Sequence, residues 1–269
     1  PDEPRLARLL GRIRRPLRVQ RLDRKDAESG QLSHEAQLIL VDNGANLGFA
    51  AGNNVGLRLA LAQPDMAYAW LLNNDTMVER QCLAAMRDAL VDRADKAVCG
   101  SVIHFFDRPE LIQALGGNRF NRYTGIAAQS EGRFLHESEP FCPATTARQL
   151  AYVSGCSMLL PRRFLEEVGL MDEDYFLYYE EIDWFTRAGE RFPPCIAPDA
   201  HLYHPSSPGF NPNLKAYNYD PQKAKKLLAE AAVYLERKPS DLGLLNGKVI
   251  LYGSRGDYGV AFPFTLPGP

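Results

Sequence analysis

The sequence predicts an α/β protein built on a mostly parallel, doubly wound sheet. Apolar runs of strand length recur at 37–41, 68–72 and 97–103. Stretches with helical spacing separate them, at 50–61 and 81–91. Strands alternating with helices of that length form crossover units, which set parallel strands side by side. The 269 residues are enough to bury a large core.

The elements follow in chain order. Residues 4–22 read as a basic helix, with Leu6, Leu9, Leu10 and Ile13 at helical spacing. Residues 23–36 read as a polar linker, and no strand is evident before residue 37. The run 37–41 enters a turn-rich loop, Asp42-Asn-Gly-Ala-Asn-Leu-Gly48. Val55, Leu59 and Ala62 mark the helix that follows. Residues 68–72 form a short buried strand, 81–91 an amphipathic helix and 97–103 a third strand. The segment 105–150 is rich in Gly, Asn, Arg and Pro, and reads as an excursion with a small hairpin or flexible loop. Strands at 150–153 and 156–160 flank Ser154-Gly155. A helix over 162–168 ends at Gly169, a C-cap signal. Residues 182–188 are helical, and 196–204 carry a last strand and lead into a Pro-Ser-Ser-Pro-Gly turn. Asp220 and Pro221 open a helix to about residue 237, Asp as the cap and Pro at the first helical position. Residues 249–252 read as a strand, and the tail beyond them as poorly ordered.

Composition is that of a globular protein: 45% hydrophobic, 24% charged, net charge −2. That balance does not suggest a nucleic-acid binder. The first 30 residues are locally basic, with Arg5, Arg8, Arg12, Arg14, Arg15, Arg18, Arg21, Arg24 and Lys25. They read as a solvated helix face or as a contact for an anionic membrane surface or lipid diphosphate. The five cysteines are scattered and include no CxxC pair, which argues against zinc and fits a reducing, cytoplasmic setting. No 18-residue apolar run occurs and the N-terminus is too charged for a signal peptide, so any membrane contact is expected to be peripheral, at the inner face of the plasma membrane.

Four segments carry chemistry. Asn73-Asn74-Asp75-Thr76 follows a buried strand, where open α/β sheets bind ligands. Asp75 there is either a ligand for Mg²⁺ or Mn²⁺, with a diphosphate completing the shell, or part of an Asx turn. Asn46-Leu-Gly-Phe-Ala-Ala-Gly-Asn-Asn-Val-Gly56 opens a helix whose N–H groups could face a phosphate, through Asn46, Gly48, Phe49 and Asn53, or is simple turn chemistry. Glu180, Glu181 and Asp183 sit beside Tyr178 and Tyr179. They are a helix start favoured by its dipole, with Asp183 and Arg187 as an i,i+4 pair, or a carboxylate cluster whose repulsion raises at least one pKa and tunes a base. His201 and His204 are three apart on a strand, which is not a zinc pattern.

Together these segments resemble the inverting family 2 glycosyltransferases of the GT-A fold, in the branch of rhamnosyltransferase-like enzymes of bacterial surface polysaccharide synthesis. The resemblance spans roughly residues 37–207. It rests on the 46–56 and 71–76 segments, Val153-Ser-Gly-Cys-Ser-Met-Leu-Leu160, Glu167-Val-Gly-Leu-Met-Asp172, Phe176-Leu-Tyr-Tyr-Glu-Glu-Ile-Asp-Trp184 and Pro198-Asp-Ala-His-Leu-Tyr-His204. It implies a nucleoside-diphosphate sugar donor and a glycan or lipid-linked glycan acceptor. Asn73, Asn74 and Asp75 take the place of the family's DxD-type motif, with Asp75 on the metal and Asn73 where the leading Asp would stand. Glu181 takes the catalytic base position, and Glu180 and Asp183 order the site. His204 falls where some relatives contact the metal or diphosphate, and Ser154-Gly155 lies against the donor sugar.

The chain departs from the resemblance in two places. The family's first strand and its Asp-bearing turn, which binds the nucleotide base, are expected to be missing. That gives a GT-A domain over 1–207, incomplete at its N-terminus, with a helical appendage and tail over 208–269. Residues 208–231 resemble a short segment of periplasmic oligopeptide-binding proteins, a resemblance that a capped amphipathic helix also explains. The missing strand is what favours an alternative, a catalytically silent domain that binds a nucleotide sugar weakly or serves as a scaffold.

Overall fold

The computed structural model describes residues 18–33, 36–130 and 132–205. Those residues form a mixed α/β fold, with a six-stranded sheet, a two-stranded sheet and a three-stranded sheet.

The amino-terminal part corrects the sequence reading. Val19–Asp23 is a strand, β1, pairing in parallel with β2 (Leu38–Asp42). The expected helix over 4–22 therefore does not reach residue 22, and its first part lies outside the described residues. A strand does precede residue 37. Leu22 packs with Leu38, Val41, Val55 and Leu59, and this burial outweighs local helical spacing. The linker contains a short helix, α1 (Arg24–Glu28), capped by Asp23, whose Oδ1 accepts from the Asp26 amide at 2.8 Å.

Helix α2 (Gly48–Leu61) joins the small sheet to the rest. Val55 and Leu59 face β1 and β2, while Phe49, Ala50 and Leu57 enter the main core. Strand β3 (Tyr68–Leu72) lies at the edge of the main sheet, whose order is β3-β10-β5-β11-β4, with β6 also on β5. The other members are β4 (Met77–Val78), β5 (Val98–Phe105), β6 (Ile112–Leu115), β10 (Ser157–Pro161) and β11 (Pro194–His204). Helix α3 (Cys82–Val91) covers one face. The 105–150 excursion holds β6, the hairpin β7 (Gly117–Asn121) and β8 (Ile126–Ser130), and a short helix, α4 (Pro143–Ala147). Strand β9 (Tyr152–Val153) pairs with β7.

The α/β class stands, but the main sheet is mixed where a mostly parallel one was expected. Strands β3, β5 and β11 share a direction, and β10 runs against both of its neighbours. A parallel neighbour needs a crossover that returns the chain to the amino end. The excursion instead re-enters beside Leu72, the carboxyl end of β3, which pairs with Ser157. Strand β10 must then run backwards.

Both faces of this sheet are covered. Ala69, Leu71, Met158 and Leu160 point into one core with Trp184, Phe164 and Phe192. Trp70, Cys99 and Leu159 point into the other, under α3. Alternate residues on each strand thus serve opposite cores. Helices α5 (Arg162–Val168) and α6 (Glu180–Ala188) close the first core, with the Phe164 and Trp184 rings edge-on at 5.0 Å. Gly169, at φ 86°, ends α5 as its C-cap. The predicted elements at 220–237 and 249–252 lie outside the described residues, and among those described no helix is long and apolar enough to cross a membrane.

Candidate functional site

The turn 154–156 between β9 and β10 sits where two clusters of polar side chains meet. The Asn73 amide donates to the Cys156 carbonyl at 3.0 Å, which ties the end of β3 to this turn. On its other flank, Gly155 lies against Glu181 and the Phe49 ring. A Cβ at Gly155 would stand 2.5 Å from Glu181 Oε1 and 2.9 Å from Phe49 Cζ.

The first cluster holds Asn73, Asp75 and His204. Thr76 closes the loop through its hydroxyl, which donates to Asn73 O at 2.7 Å. His204 ends β11, the neighbour of β5, and its Nε2 stands 3.3 Å from Asp75 Oδ1. Its Nδ1 is 3.0 Å from Gln113 Oε1. A carbonyl oxygen can only accept, so Nδ1 carries a proton, while Nε2 is turned towards Asp75 and stands 3.4 Å from Asn73 Nδ2. Asp75 Oδ1 and Asn73 Oδ1 are both buried and have no hydrogen-bond partner. Burial alone would raise the Asp75 pKa, but the His204 imidazole beside it outweighs burial and holds the carboxyl below its ordinary range.

This donor set fits a hard divalent ion. His204 Nε2 and Asp75 Oδ1 lie 3.3 Å apart, beside the unpartnered Asn73 oxygen. Asp75, His204 and the Asn73 oxygen are the residues that would hold such an ion, with a bound diphosphate supplying further oxygens. Among the described residues there is no group of three or more His, Cys, Asp or Glu that could hold a metal unaided.

The second cluster is the amino end of α6. Glu180 is 2% exposed and its Oε2 has no partner. Glu181 is pushed up to about 7, first by burial and then by the neighbouring Glu180, against backbone N–H groups that include that of Gly155. Burial raises Glu180 as well. The helix amino terminus favours negative charge here, but only by about 0.3–1 kcal/mol, and burial of two adjacent carboxyls exceeds it. Asp183 is bound differently. Arg187 Nε holds its Oδ2 at 2.7 Å, and the other Arg187 nitrogens donate to the Val168 and Leu170 carbonyls. Asp183 is therefore tied into the helix pair that the spacing allowed.

The helix-opening loop departs from a phosphate cradle. The Gly48 amide donates to Asn46 Oδ1 at 3.0 Å and the Phe49 amide to the Phe176 carbonyl at 2.7 Å. Two of the free amides at the start of α2 are thus already taken. Asn53 is fully buried inside α2, its Nδ2 donating to Phe49 O, so it is out of reach of a donor. Asn74 is half-buried beside the first cluster. What the loop does hold is Phe176, and through it the 176–179 segment that precedes Glu180. Gly48, at φ 79°, leaves no room for a side chain against the Phe176 carbonyl.

His201 and His204 go to separate partners. His201 Nδ1 meets His104 Nε2 at 2.8 Å, because the bulge at Pro198, Asp199 and Ala200 shifts the β11 register. Sequence reasoning missed Gln113, which orients His204 from 91 residues away with no local signal. It also missed Tyr152, pushed up to about 12 by burial and then by Glu181. A separate surface cavity of about 390 Å³, bounded by Trp70, Leu159, Arg80 and Arg87, shares no residue with either cluster.

No protein-family model matches the chain. Over 153 residues it is 24% identical to the low-salt glycan biosynthesis hexosyltransferase Agl10 of Haloferax volcanii, covering 55% of this chain and 45% of that protein. An uncharacterised protein of Mycobacterium tuberculosis is 29% identical over 136 residues, 51% of this chain and 44% of that one. The chain thus spans less than half the length of these relatives. Among solved structures, a crystal structure of GalNAc-T7 with UDP, GalNAc and Mn²⁺ aligns with a TM-score of 0.43 and 12% identity, over 62% of this chain and 32% of that one. A197 from STIV aligns with a TM-score of 0.36, also at 12% identity, over 75% of this chain and all of that one. Sequence similarity therefore connects the chain to a glycan-building hexosyltransferase.

Proposed function

We propose that this chain is a metal-dependent, inverting glycosyltransferase of the GT-A type. It would move rhamnose or a hexose from a nucleoside-diphosphate sugar to a hydroxyl of a surface-polysaccharide acceptor. The observation that carries the reading is the turn 154–156. It joins a carboxylate–imidazole pair suited to a cation to a half-buried carboxylate suited to take a proton.

Glu181 accepts the proton of the acceptor hydroxyl as that oxygen bonds to the anomeric carbon. The bond from that carbon to the diphosphate breaks on the opposite side, its electron pair leaves on the diphosphate oxygen, and the centre inverts. Asp75, His204 and Asn73 would hold a divalent ion, which would supply positive charge to stabilise the departing diphosphate. Gln113 keeps His204 Nε2 on that side. Ser154 and Gly155 border the space between the two clusters, and Gly155 lets the sugar lie against the backbone. We place this unit within residues 1–207, with 208–269 as an appendage, and infer a cytoplasmic enzyme whose basic 5–25 stretch contacts the membrane peripherally. The alternative, a silent nucleotide-sugar-binding scaffold, drew its support from the absence of a strand before residue 37; a strand, β1, does precede that residue, paired with β2 in a separate two-stranded sheet.

The test is calorimetric titration with UDP and with dTDP, each with and without Mn²⁺. Mn²⁺-dependent binding that disappears in Asp75→Ala is expected. Binding indifferent to Mn²⁺, or unchanged in Asp75→Ala, would remove the metal-bridged donor site. A donor consumed equally well by wild type and Glu181→Gln would remove the base.

A further inference from the structure

The segment 176–179 presents aromatic rings to solvent at some conformational cost. Tyr178 and Tyr179 have φ of 69° and 70°, a left-handed conformation that bulky residues seldom adopt. They are nonetheless 70% and 47% exposed. Strained residues persist where the surroundings over-determine them, and they cluster at ligand-binding sites. Here the surroundings are visible. Phe176 O is clamped on the Phe49 amide, Leu177 packs against the core, and Tyr179 Oη donates to Gly125 O at 2.8 Å. The Tyr179 ring also stands edge-on to Phe120 at 6.2 Å.

Those contacts dock the acid-bearing segment onto the β7–β8 hairpin. The hairpin turn is itself built. Asn121 Oδ1 accepts from the Tyr123 and Thr124 amides, and Gly125 takes the left-handed position at φ 69°. Its tip carries Tyr123, 85% exposed, with Arg122 lying 5.1 Å over the ring and donating to the phenol oxygen. Ile126, 62% exposed, follows. A rim of three tyrosines and one arginine therefore adjoins the residues leading into Glu181.

We propose that Tyr178, Tyr179 and Tyr123 form a carbohydrate platform that receives the acceptor sugar, the β7–β8 hairpin and the 176–179 segment acting as one unit through the Tyr179–Gly125 bond. The inference rests on the transferase reading and gives that reading its acceptor side. Exposed apolar surface beside a polar site marks a partner surface. The partner's chemistry follows from the rim. Tyrosine offers a flat apolar face and a hydroxyl at its edge, which suit the C–H face and hydroxyls of a pyranose. The position also agrees, because a hydroxyl that gives its proton to Glu181 must arrive from beside α6. Tyr179 is a positioning residue, since it acts by joining the two segments.

Saturation-transfer NMR with methyl α-rhamnopyranoside, methyl β-glucopyranoside and methyl β-galactopyranoside tests this on the full chain. Transfer to the ring protons of at least one glycoside is expected, weakened roughly tenfold in Tyr178→Ala and in Tyr123→Ala. Tyr179→Phe keeps the ring but loses the tether, so it should weaken binding less than Tyr178→Ala and reduce the proton-exchange protection of the hairpin amides. UDP and dTDP titrations with Mn²⁺ on the same proteins separate the two ideas. Nucleotide binding retained with glycoside binding unchanged in both alanine variants, or absent in the wild type, would overturn the platform alone. Failure of the wild type to bind nucleotide would overturn the transferase reading, while glycoside binding lost in the variants would leave the platform standing. Wild-type adsorption to phosphatidylglycerol vesicles that is lost in both alanine variants, with no glycoside bound, would overturn it in favour of a membrane surface.

Discussion

Asp75 and Glu181 both border the turn 154–156, and their surroundings drive them in opposite directions. Asp75 faces an imidazole, which outweighs its burial and keeps it ionised. Glu181 faces another carboxyl in a crowded pocket and is pushed up to about 7. Two carboxylates set apart in this way can serve as a cation ligand and a proton acceptor within one site. The difference comes from the partners that the fold brings up, since both residues follow apolar segments of similar character.

The largest effect expected from breaking this contrast is at the proton acceptor. Glu181→Gln keeps shape and burial but cannot take a proton, and turnover of the nucleotide sugar should fall by roughly 10²–10⁴ in single-turnover assays. Nucleotide affinity should stay close to wild type, which sets this variant apart from Asp75→Ala. Next comes Gly155→Ala. Its Cβ would meet Glu181 Oε1 at 2.5 Å and Phe49 Cζ at 2.9 Å, so the carboxylate must move. A displacement of that order costs about 10² in rate, with about 1–3 kcal/mol of stability lost to overpacking. Gln113→Leu should act on the other carboxylate's side. It frees the His204 ring to rotate or change tautomer, and Mn²⁺-dependent nucleotide affinity should drop about 10–100-fold by calorimetry.

The smallest effect is in stability, and its sign distinguishes the two sites. Between pH 4.5 and 7 the folded protein holds a proton on Glu181 that the unfolded chain has released. Stability therefore falls as pH rises through that window, by ~3 kcal/mol in all. Glu181→Gln lacks this loss, so its melting midpoint should exceed that of wild type by a few degrees at pH 8, and the two should converge near pH 4. Asp75 behaves the other way. Its contribution is present above the ordinary carboxylate range and is lost as pH falls through its depressed value. A melting profile flat from pH 5 to 8 would show that Glu181 is not perturbed.

Much of this site was legible from local pattern. The end of β3, the helix ending at Gly169 and the crowding of Glu180 and Glu181 were all visible as short-range chemistry, and the expected rise in a carboxyl pKa occurs at both glutamates. The i,i+4 pair of Asp183 with Arg187 was equally local, and it is made. Asn53 misled because a polar residue in a glycine-rich stretch looks available, whereas α2 packs on all sides and buries it. The strand at Val19–Asp23 was hidden because parallel pairing draws its support from a distant strand, while the leucine spacing ahead of it points to a helix.

The sequence by itself determined the α/β class, the positions of most strands and helices, and the residue types at the two clusters. These follow from apolar periodicity, caps and turn residues, which act over a few positions. Only the tertiary structure decided that β10 runs backwards, that Gln113 orients His204, that Phe176 occupies the start of α2, and that Gly155 touches Glu181. Each depends on residues far apart in the chain, and no local pattern encodes such pairings.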